Sequence, residues 1–195
     1  MADHYHAPFL GGQFYHIYNR GNNGDNLFHT AANYAYFLKK YNEILGQWLD
    51  VYAFCLLPNH FHLLVRVKEQ PTQEDLDKQI TNQFRRFFIG YTQAIQKQEG
   101  RTGSLFQKNF KRIMLEDNDY FTRLIYYIHA NPYKHGVDAA WRTYPWSSYA
   151  RMLASKPTKL CKEAVLSWFG GADAYVDFHT GMLAETSEGE LYEED

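Results

Sequence analysis

Cysteine is nearly absent from this sequence, which has only Cys55 and Cys161 among its 195 residues. Two thiols so far apart exclude a disulfide framework and a zinc ribbon, and we expect a reducing compartment. Long hydrophobic runs are also missing, since none approaches the roughly 20 residues that a membrane-spanning helix needs. The beginning, MADHYHAPFLGG, has neither the basic start nor the apolar stretch of a secretory signal. These absences predict a globular cytoplasmic protein with no membrane partner.

Basic residues do not outnumber acidic ones in the whole chain, which has a formal net charge of -2. Six of the 22 acidic residues, however, lie in residues 185–195, which contain no Lys or Arg. The other 16 acidic residues oppose all 20 Lys and Arg, so the rest of the chain has a formal charge of +4. We therefore predict one catalytic domain over residues 1–180 and an acidic, disordered tail over residues 181–195.

Positive charge is concentrated between Phe84 and Arg112, where seven Lys or Arg residues are opposed only by Glu99. Aromatic residues are interleaved with them. This mixture suits a single-stranded nucleic acid, because its phosphates attract cations and its bases stack on aromatic rings. The alternative is an ordinary solvated helix face.

Hydrophobic periodicity predicts one unit of alternating strands and helices. Residues 51–57 and 60–67 are apolar runs separated only by Pro58 and Asn59, which predicts an antiparallel hairpin. The other predicted elements are a strand over 13–19, a helix over about 31–47, a long helix after a cap at Thr72, a strand over 104–115, and a helix capped by Asp117 or Asn118 that ends at Ala130. The aromatic-rich residues 133–171 close the domain in a form that the pattern does not define.

A candidate metal site begins with His60 and His62. Alternate side chains of a strand share one face, so both imidazoles point to the same side while Phe61 points to the other. Neutral imidazole is a good ligand for divalent transition metals. The alternative is that the two histidines lie on the wetter side of a half-buried sheet.

The last predicted helix contributes Tyr127 and Asn131, which are four residues apart and therefore share one helix face. An amide oxygen can then reach a metal beside the phenol. Tyr126 is the competing nucleophile, but four residues after it stands Ala130, which offers no ligand. The alternative is that both tyrosines are aromatic core or surface residues and that Asn131 only ends the helix.

Together these residues permit cleavage of a phosphodiester. A phenol with a pKa of about 10 is protonated at neutral pH and needs a metal that polarises the phosphate. Tyr127 would attack phosphorus, form a 5'-phosphotyrosyl link and release a 3'-hydroxyl that later rejoins the strand. Two alternatives remain open: a domesticated DNA-binding protein that does not cleave, and a metal phosphoesterase with water as nucleophile.

The segments FYHIYNRGNN, YAFCLLPNHFHLLV, GSLFQKNFKRI, YYIHANPYKHGV and WSSY appear in this order between Phe14 and Tyr149. In them the sequence strongly resembles the HUH single-tyrosine transposases, especially the REP-associated tyrosine transposases. The resemblance implies a ferredoxin-like α+β sandwich with a central antiparallel sheet, on which helices pack. It also implies Mg²⁺ or Mn²⁺ on His60 and His62, with Tyr127 as the catalytic tyrosine on a helix. Asn131 matches the Asn of the YIxxNP motif, although insertion-sequence relatives often have Gln as the ligand there.

The resemblance further implies a single-stranded or hairpin DNA substrate, which fits the basic and aromatic stretch. We predict DNA contacts by six cations, namely Arg20, Arg85, Arg86, Lys108, Lys111 and Arg112. His16 and His129 lie near the motifs, and we interpret them as structural hydrogen-bonding residues. The sequence leaves open whether the protein is a monomer or a homodimer.

Overall fold

A four-stranded antiparallel sheet forms the centre of the protein, as shown by a computed structural model that describes residues 5–70, 74–115 and 119–186. The strands β1 (Phe14–Arg20), β2 (Leu49–Leu57), β3 (His60–Val67) and β4 (Lys111–Leu115) lie in the order β2-β3-β1-β4. Helices α1 (Ala31–Leu45) and α2 (Leu76–Glu99) connect β1 to β2 and β3 to β4. This order of elements and strands is the ferredoxin-like arrangement, which confirms the predicted α+β fold.

One face of the sheet packs against α1 and α2. From β3, alternate residues Phe61, Leu63 and Val65 enter this core. The apolar residues of α2 that meet them follow helical spacing, namely Leu76, Ile80, Phe84, Phe87, Tyr91 and Ile95. Because the side chains of a strand alternate, His60 and His62 point to the other face of the sheet.

The histidine face is covered by four helices: α3 (Asp119–Lys134), α4 (Tyr149–Leu153), α5 (Lys162–Phe169) and α6 (Ala172–Thr186). Cys55 and Leu64 of the sheet belong to the same buried cluster as Ile125 and Ile128 of α3. Trp141, which is 1% exposed, belongs to this second core too. The aromatic-rich segment thus forms short helices, and α3 lies over the two histidines.

Most predicted boundaries agree with the structure to within two residues. The strand predicted over residues 104–115 is wrong in its first half, because β4 begins only at Lys111. Asn109 has a φ of 60°, in the left-handed region that extended strands do not use. The Gln107 amide donates to the Arg20 carbonyl at 2.9 Å, so residues 104–110 form a loop held against the end of β1.

The predicted end of α3 is also wrong. The helix passes Ala130 and continues to Lys134 with Pro132 inside it. Proline removes only its own backbone N–H, and the next turn stays bonded, since the His135 amide donates to the Asn131 carbonyl at 2.9 Å. A proline in the last turn therefore does not stop this helix.

Residues 181–186, which we predicted as the start of the acidic tail, belong to α6, and Met182 packs against the second core. Residues 187–195 lie outside the described residues, as do Thr72, Asp117 and Asn118, the predicted helix caps. Within the ranges that the structure describes, no helix combines the length and the hydropathy of a membrane span.

Candidate active site

The two predicted metal ligands on β3 lie side by side beneath α3. His60 is 5% exposed and His62 is fully buried, and their ring centroids are 5.3 Å apart. The shared face that strand alternation predicts is therefore present. The alternative, in which the two histidines lie on the wetter side of a half-buried sheet, does not hold, because both rings are buried.

Each histidine has a polar partner on its Nδ1 atom. The Nδ1 of His60 is 2.7 Å from Oδ1 of Asn59, and the Nδ1 of His62 is 3.0 Å from Nε2 of His16. An amide oxygen only accepts, so His60 carries its proton on Nδ1 and has the lone pair on Nε2. The His62 ring has its Nε2 lone pair available in the same way when its Nδ1 donates to His16.

Burial keeps these imidazoles neutral. It is the largest cause that lowers the pKa of His60, to about 3, and it holds the pKa of His62 well below its ordinary value. His16 behaves alike, with its pKa lowered by burial to about 3. Neutral imidazole is the form that binds metal, so no proton has to leave before a cation can be held.

Helix α3 brings Tyr127 and Asn131 to the histidine pair. The Tyr127 ring is 5.6 Å from the His62 ring at an interplanar angle of 85°. Asn131 is fully buried, and its Nδ2 donates to the Tyr127 carbonyl at 2.8 Å, which fixes the amide orientation. The contact of Asn131 with the His60 ring raises the pKa of His60, against the larger lowering effect of burial.

Two buried acceptor atoms at this point have no hydrogen-bond partner in the described part of the protein, namely Nε2 of His60 and Oδ1 of Asn131. Buried polar atoms are rarely left without partners, because desolvation costs about 1–3 kcal/mol each. A divalent cation would satisfy both lone pairs, so the donor set of His60, His62 and Asn131 fits a metal. Across residues 5–70, 74–115 and 119–186, no group of three or more His, Cys, Asp or Glu side chains could hold one. A metal held by His60 and His62 would therefore need a ligand of another kind, such as the Asn131 amide oxygen.

The two neighbouring tyrosines have different surroundings. Tyr126 packs 5.7 Å from the His179 ring and 6.2 Å from the Trp141 ring, inside the second core. Tyr127 instead faces His62. The geometry favours Tyr127 over Tyr126, as the spacing to Asn131 predicts.

Four further residues of the site were not predicted as functional. His16 and Asn59 contact the His62 and His60 rings, and the His135 ring lies 4.6 Å from His60. Lys134 places Nζ 5.0 Å over the Tyr127 ring. Strand alternation could have indicated His16, because residues 16 and 62 share a sheet face. Lys134 and His135 could not be placed near the site, because our predicted helix ended before Pro132.

Three of the six predicted DNA-binding cations lie close to the histidine pair. Arg20, at the exposed end of β1, is opposite His60 in the sheet register. Together with Lys108 and Lys111 it lines a cavity of 140 Å³ whose wall includes both His60 and His62. These three cations therefore place positive charge beside the histidine pair.

The other three predicted DNA contacts have separate surroundings. Arg85 is exposed and lines a larger groove beside α2, whereas Arg86, also exposed, contacts Gln83 on the helix surface. Arg112 also lines this groove, but it is already paired within the protein. Its side chain is 11% exposed and bonds to Asp77 at 3.1 Å, because β4 directs it under α2.

The fold and the site define a ferredoxin-like α+β domain in which a buried histidine pair faces a tyrosine on a helix. No family model matches the chain. A protein of Haemophilus influenzae named as a REP-associated tyrosine transposase is 28% identical over 107 residues, which cover 52% of this chain and 60% of that relative's length. A solved REP-associated tyrosine transposase bound to a REP hairpin has 18% identity and a TM-score of 0.62, over 80% of this chain and 89% of that one. The solved structure confirms the fold, and both similarities agree with the predicted resemblance to REP-associated tyrosine transposases.

Proposed function

We propose that the protein is a metal-dependent transposase that nicks and rejoins single-stranded DNA through a 5'-phosphotyrosyl link on Tyr127. The observation that carries this proposal is that His60, His62 and Asn131 lie together beside Tyr127, with the buried Nε2 of His60 and Oδ1 of Asn131 lacking a hydrogen-bond partner among the described residues. The relative's name supports the reaction class, and the hairpin bound by the solved neighbour supports hairpin DNA as substrate.

The proposed ligands are Nε2 of His60, Nε2 of His62 and Oδ1 of Asn131. Mg²⁺ or Mn²⁺ in this position would polarise the scissile phosphate and neutralise its developing charge. Two imidazoles favour Mn²⁺ over Mg²⁺, which prefers oxygen ligands. Arg20 and Lys108 line the adjacent cavity and would bind oxygens of this phosphate.

Tyr127 supplies the nucleophile. Its phenol oxygen forms a bond to phosphorus as the bond from phosphorus to the 3'-oxygen breaks, and the phenol gives up its proton while the departing oxygen gains one. The DNA then carries a free 3'-hydroxyl, and its 5'-phosphate is esterified to Tyr127. Attack by a 3'-hydroxyl reverses these steps and rejoins a strand without ATP, because the phosphoester bond energy is conserved.

The site is covered before DNA binds. Tyr127 is 5% exposed, and Lys134 lies over its ring. DNA can reach the phenol only if the covering side chains shift. Lys134 is exposed and has a flexible four-carbon side chain, so its ammonium can move from the ring to the incoming phosphate.

The test uses hairpin DNA with single-stranded flanks, labelled at either the 5' or the 3' end, with Mn²⁺ or EDTA and denaturing gels. We expect a covalent adduct on the 5'-phosphate side that needs Mn²⁺, is lost in Tyr127→Phe and is kept in Tyr126→Phe. Both variants remove a hydroxyl from a buried tyrosine of α3. Tyr126→Phe therefore controls for a loss of the adduct that is caused by unfolding.

Other outcomes identify the alternatives. Cleavage that survives Tyr127→Phe would mean that water is the nucleophile, as in a metal phosphoesterase. Tight hairpin binding with no cleavage by the unmodified protein would mean a DNA-binding protein that has kept the fold. Either result would contradict the proposed reaction.

A further inference from the structure

A second, larger groove runs beside α2, away from the histidines. Its volume is 870 Å³, and one wall is a single face of α2 that includes Arg85, Ile89, Gln93 and Gln96. These residues recur every three or four positions, so they form one stripe along the helix. The stripe extends about 16 Å from Arg85 to Gln96 at the rise of an α-helix.

The opposite wall is the loop of residues 104–110, which also borders the active-site cavity. Gln107, Lys108 and Asn109 line both the 870 Å³ groove and the 140 Å³ cavity at His60. The loop therefore separates the groove from the cavity at the histidine pair, and Lys108 borders both.

Hydrogen bonds to main-chain carbonyls hold this loop in place at both sides. The Asn22 amide donates to the Leu105 carbonyl at 2.9 Å, and the Asn19 side chain donates to the Gln107 carbonyl at 3.3 Å. On the side of α2, the side-chain amide of Gln96 donates to the Gly103 carbonyl at 2.6 Å. The groove is thus a preformed channel between two fixed walls.

The chemistry of the groove combines cations with aromatic rings. Arg85 and Lys108 are exposed on its rim, while Phe88 and Phe110 are half-buried along its floor. The Phe88 ring is 4.7 Å from Phe106 and 5.6 Å from Phe110, so the floor is a continuous aromatic surface. Aromatic floors with cationic rims bind single strands, whose bases stack and whose phosphates pair with charge.

On the basis of the function proposed above, we propose that this groove binds the single-stranded DNA segment that flanks the phosphodiester cleaved at Tyr127. Arg85 and Lys108 pair with its phosphates, and Phe88 and Phe110 stack with its bases. A strand with stacked bases, at about 3.4 Å per nucleotide, would place about five nucleotides along the α2 stripe. The groove would then determine on which side of a hairpin the enzyme requires single-stranded DNA.

Neighbouring arginines of α2 provide a matched test. Arg85 lines the groove, whereas Arg86 is also exposed but turned about 100° around the helix, where it contacts Gln83. Fluorescein-labelled hairpins with a 5' flank, a 3' flank or no flank of about five nucleotides would be titrated with protein in EDTA. Fluorescence anisotropy at several salt concentrations then gives affinity without cleavage.

We expect a flank of one polarity to strengthen binding by the unmodified protein. Arg85→Ala should remove this gain and make the dependence of log affinity on log salt shallower by about 0.7, the value for one phosphate contact on a single strand. Arg86→Ala should retain both the gain and the slope. Lys108→Ala, on the opposite wall, should resemble Arg85→Ala.

The groove assignment would be overturned if Arg85→Ala and Arg86→Ala bound flanked hairpins alike, or if Arg85→Ala weakened unflanked and flanked hairpins equally. Because the titration needs neither metal nor cleavage, its result is independent of the tyrosine chemistry. Adduct formation without an Arg85 effect would reject only the groove. An Arg85 effect without any adduct would reject only the proposed reaction.

Discussion

His16 gives a sharp prediction about the metal site, because it touches a proposed ligand without being one. Its Nε2 is 3.0 Å from Nδ1 of His62, and burial keeps His16 neutral by lowering its pKa to about 3. For His62 to bind a cation through Nε2, its proton must be on Nδ1 and must be donated to His16. His16→Phe keeps a ring beside Tyr18, which stacks on His16 at 4.8 Å, but removes the acceptor.

The magnitude follows from this single lost hydrogen bond. Removing the partner of a metal-binding histidine typically weakens metal affinity about 10- to 100-fold. That factor corresponds to about 1.4 to 2.7 kcal/mol of binding free energy. We therefore expect the apparent Kd of His16→Phe for Mn²⁺ to rise by this factor, with cleavage recovered at high Mn²⁺.

Mn²⁺ affinity would be measured by calorimetry, and independently from the rise in unfolding temperature with Mn²⁺ concentration. His16→Gln retains an acceptor oxygen and should bind Mn²⁺ more tightly than His16→Phe, which a purely structural role of the residue would not require. Equal Mn²⁺ affinity for the unmodified protein and for a folded His16→Phe would refute the reasoning that His62 depends on His16.

Three further changes test neighbouring parts of the same account. Asn131→Ala removes the amide oxygen from the proposed ligand set, so Mn²⁺ affinity should fall at least about tenfold in calorimetry, whereas unchanged affinity would show that the amide is no ligand. Asn59→Ala removes the acceptor for His60 Nδ1 and should weaken Mn²⁺ binding by about tenfold, and an unaltered Kd would mean that this bond does not hold the ring. Arg112→Met breaks the bonds to Asp77 and Thr81 and should lower the free energy of unfolding, measured in urea, by about 1–2 kcal/mol. A changed salt dependence of DNA binding in this variant would show instead that Arg112 contacts DNA.

The central hairpin and the histidine pair could be predicted because both depend on local pattern. The runs around Pro58 and Asn59 form β2 and β3, and the period of two places His60 and His62 on one face. Helical spacing likewise aligned Tyr127 with Asn131. Local periodicity thus identified the four residues of the proposed reaction, although it could not show that the two elements meet.

Other features depend on tertiary contacts, which the sequence pattern does not contain. The apolar residues near Phe106 suggested a strand, but the loop bonds to the end of β1 and Asn109 adopts a positive φ. Arg112 was counted with the surface cations, yet the register of β4 carries it under α2 to Asp77. A cluster of basic residues in the sequence therefore contains both surface cations and an arginine that is paired inside the protein.

The structure also explains how Tyr127 is held in position. His129 follows Tyr127 by two residues on α3 and lies between Ser148 and His179. Its Nε2 is 2.7 Å from the serine hydroxyl, and its Nδ1 is 3.1 Å from Nε2 of His179. His179 donates from Nδ1 to the Tyr175 carbonyl at 2.7 Å, and therefore its Nε2 accepts from His129 when both rings are neutral.

Burial keeps both rings neutral, since it lowers the pKa of His179 to about 4 and that of His129 well below its ordinary value. Ser148 completes the connection, because its hydroxyl also accepts from the Phe54 amide of β2 at 2.9 Å. The chain of bonds from β2 through α3 to α6 is thus fully defined, with one donor and one acceptor at each contact. Lifting α3 from the sheet would leave several buried groups without partners, at about 1–3 kcal/mol each. Moving the exposed Lys134 side chain from the Tyr127 ring breaks none of these bonds, so we expect Lys134 rather than the whole helix to move when the phenol is reached.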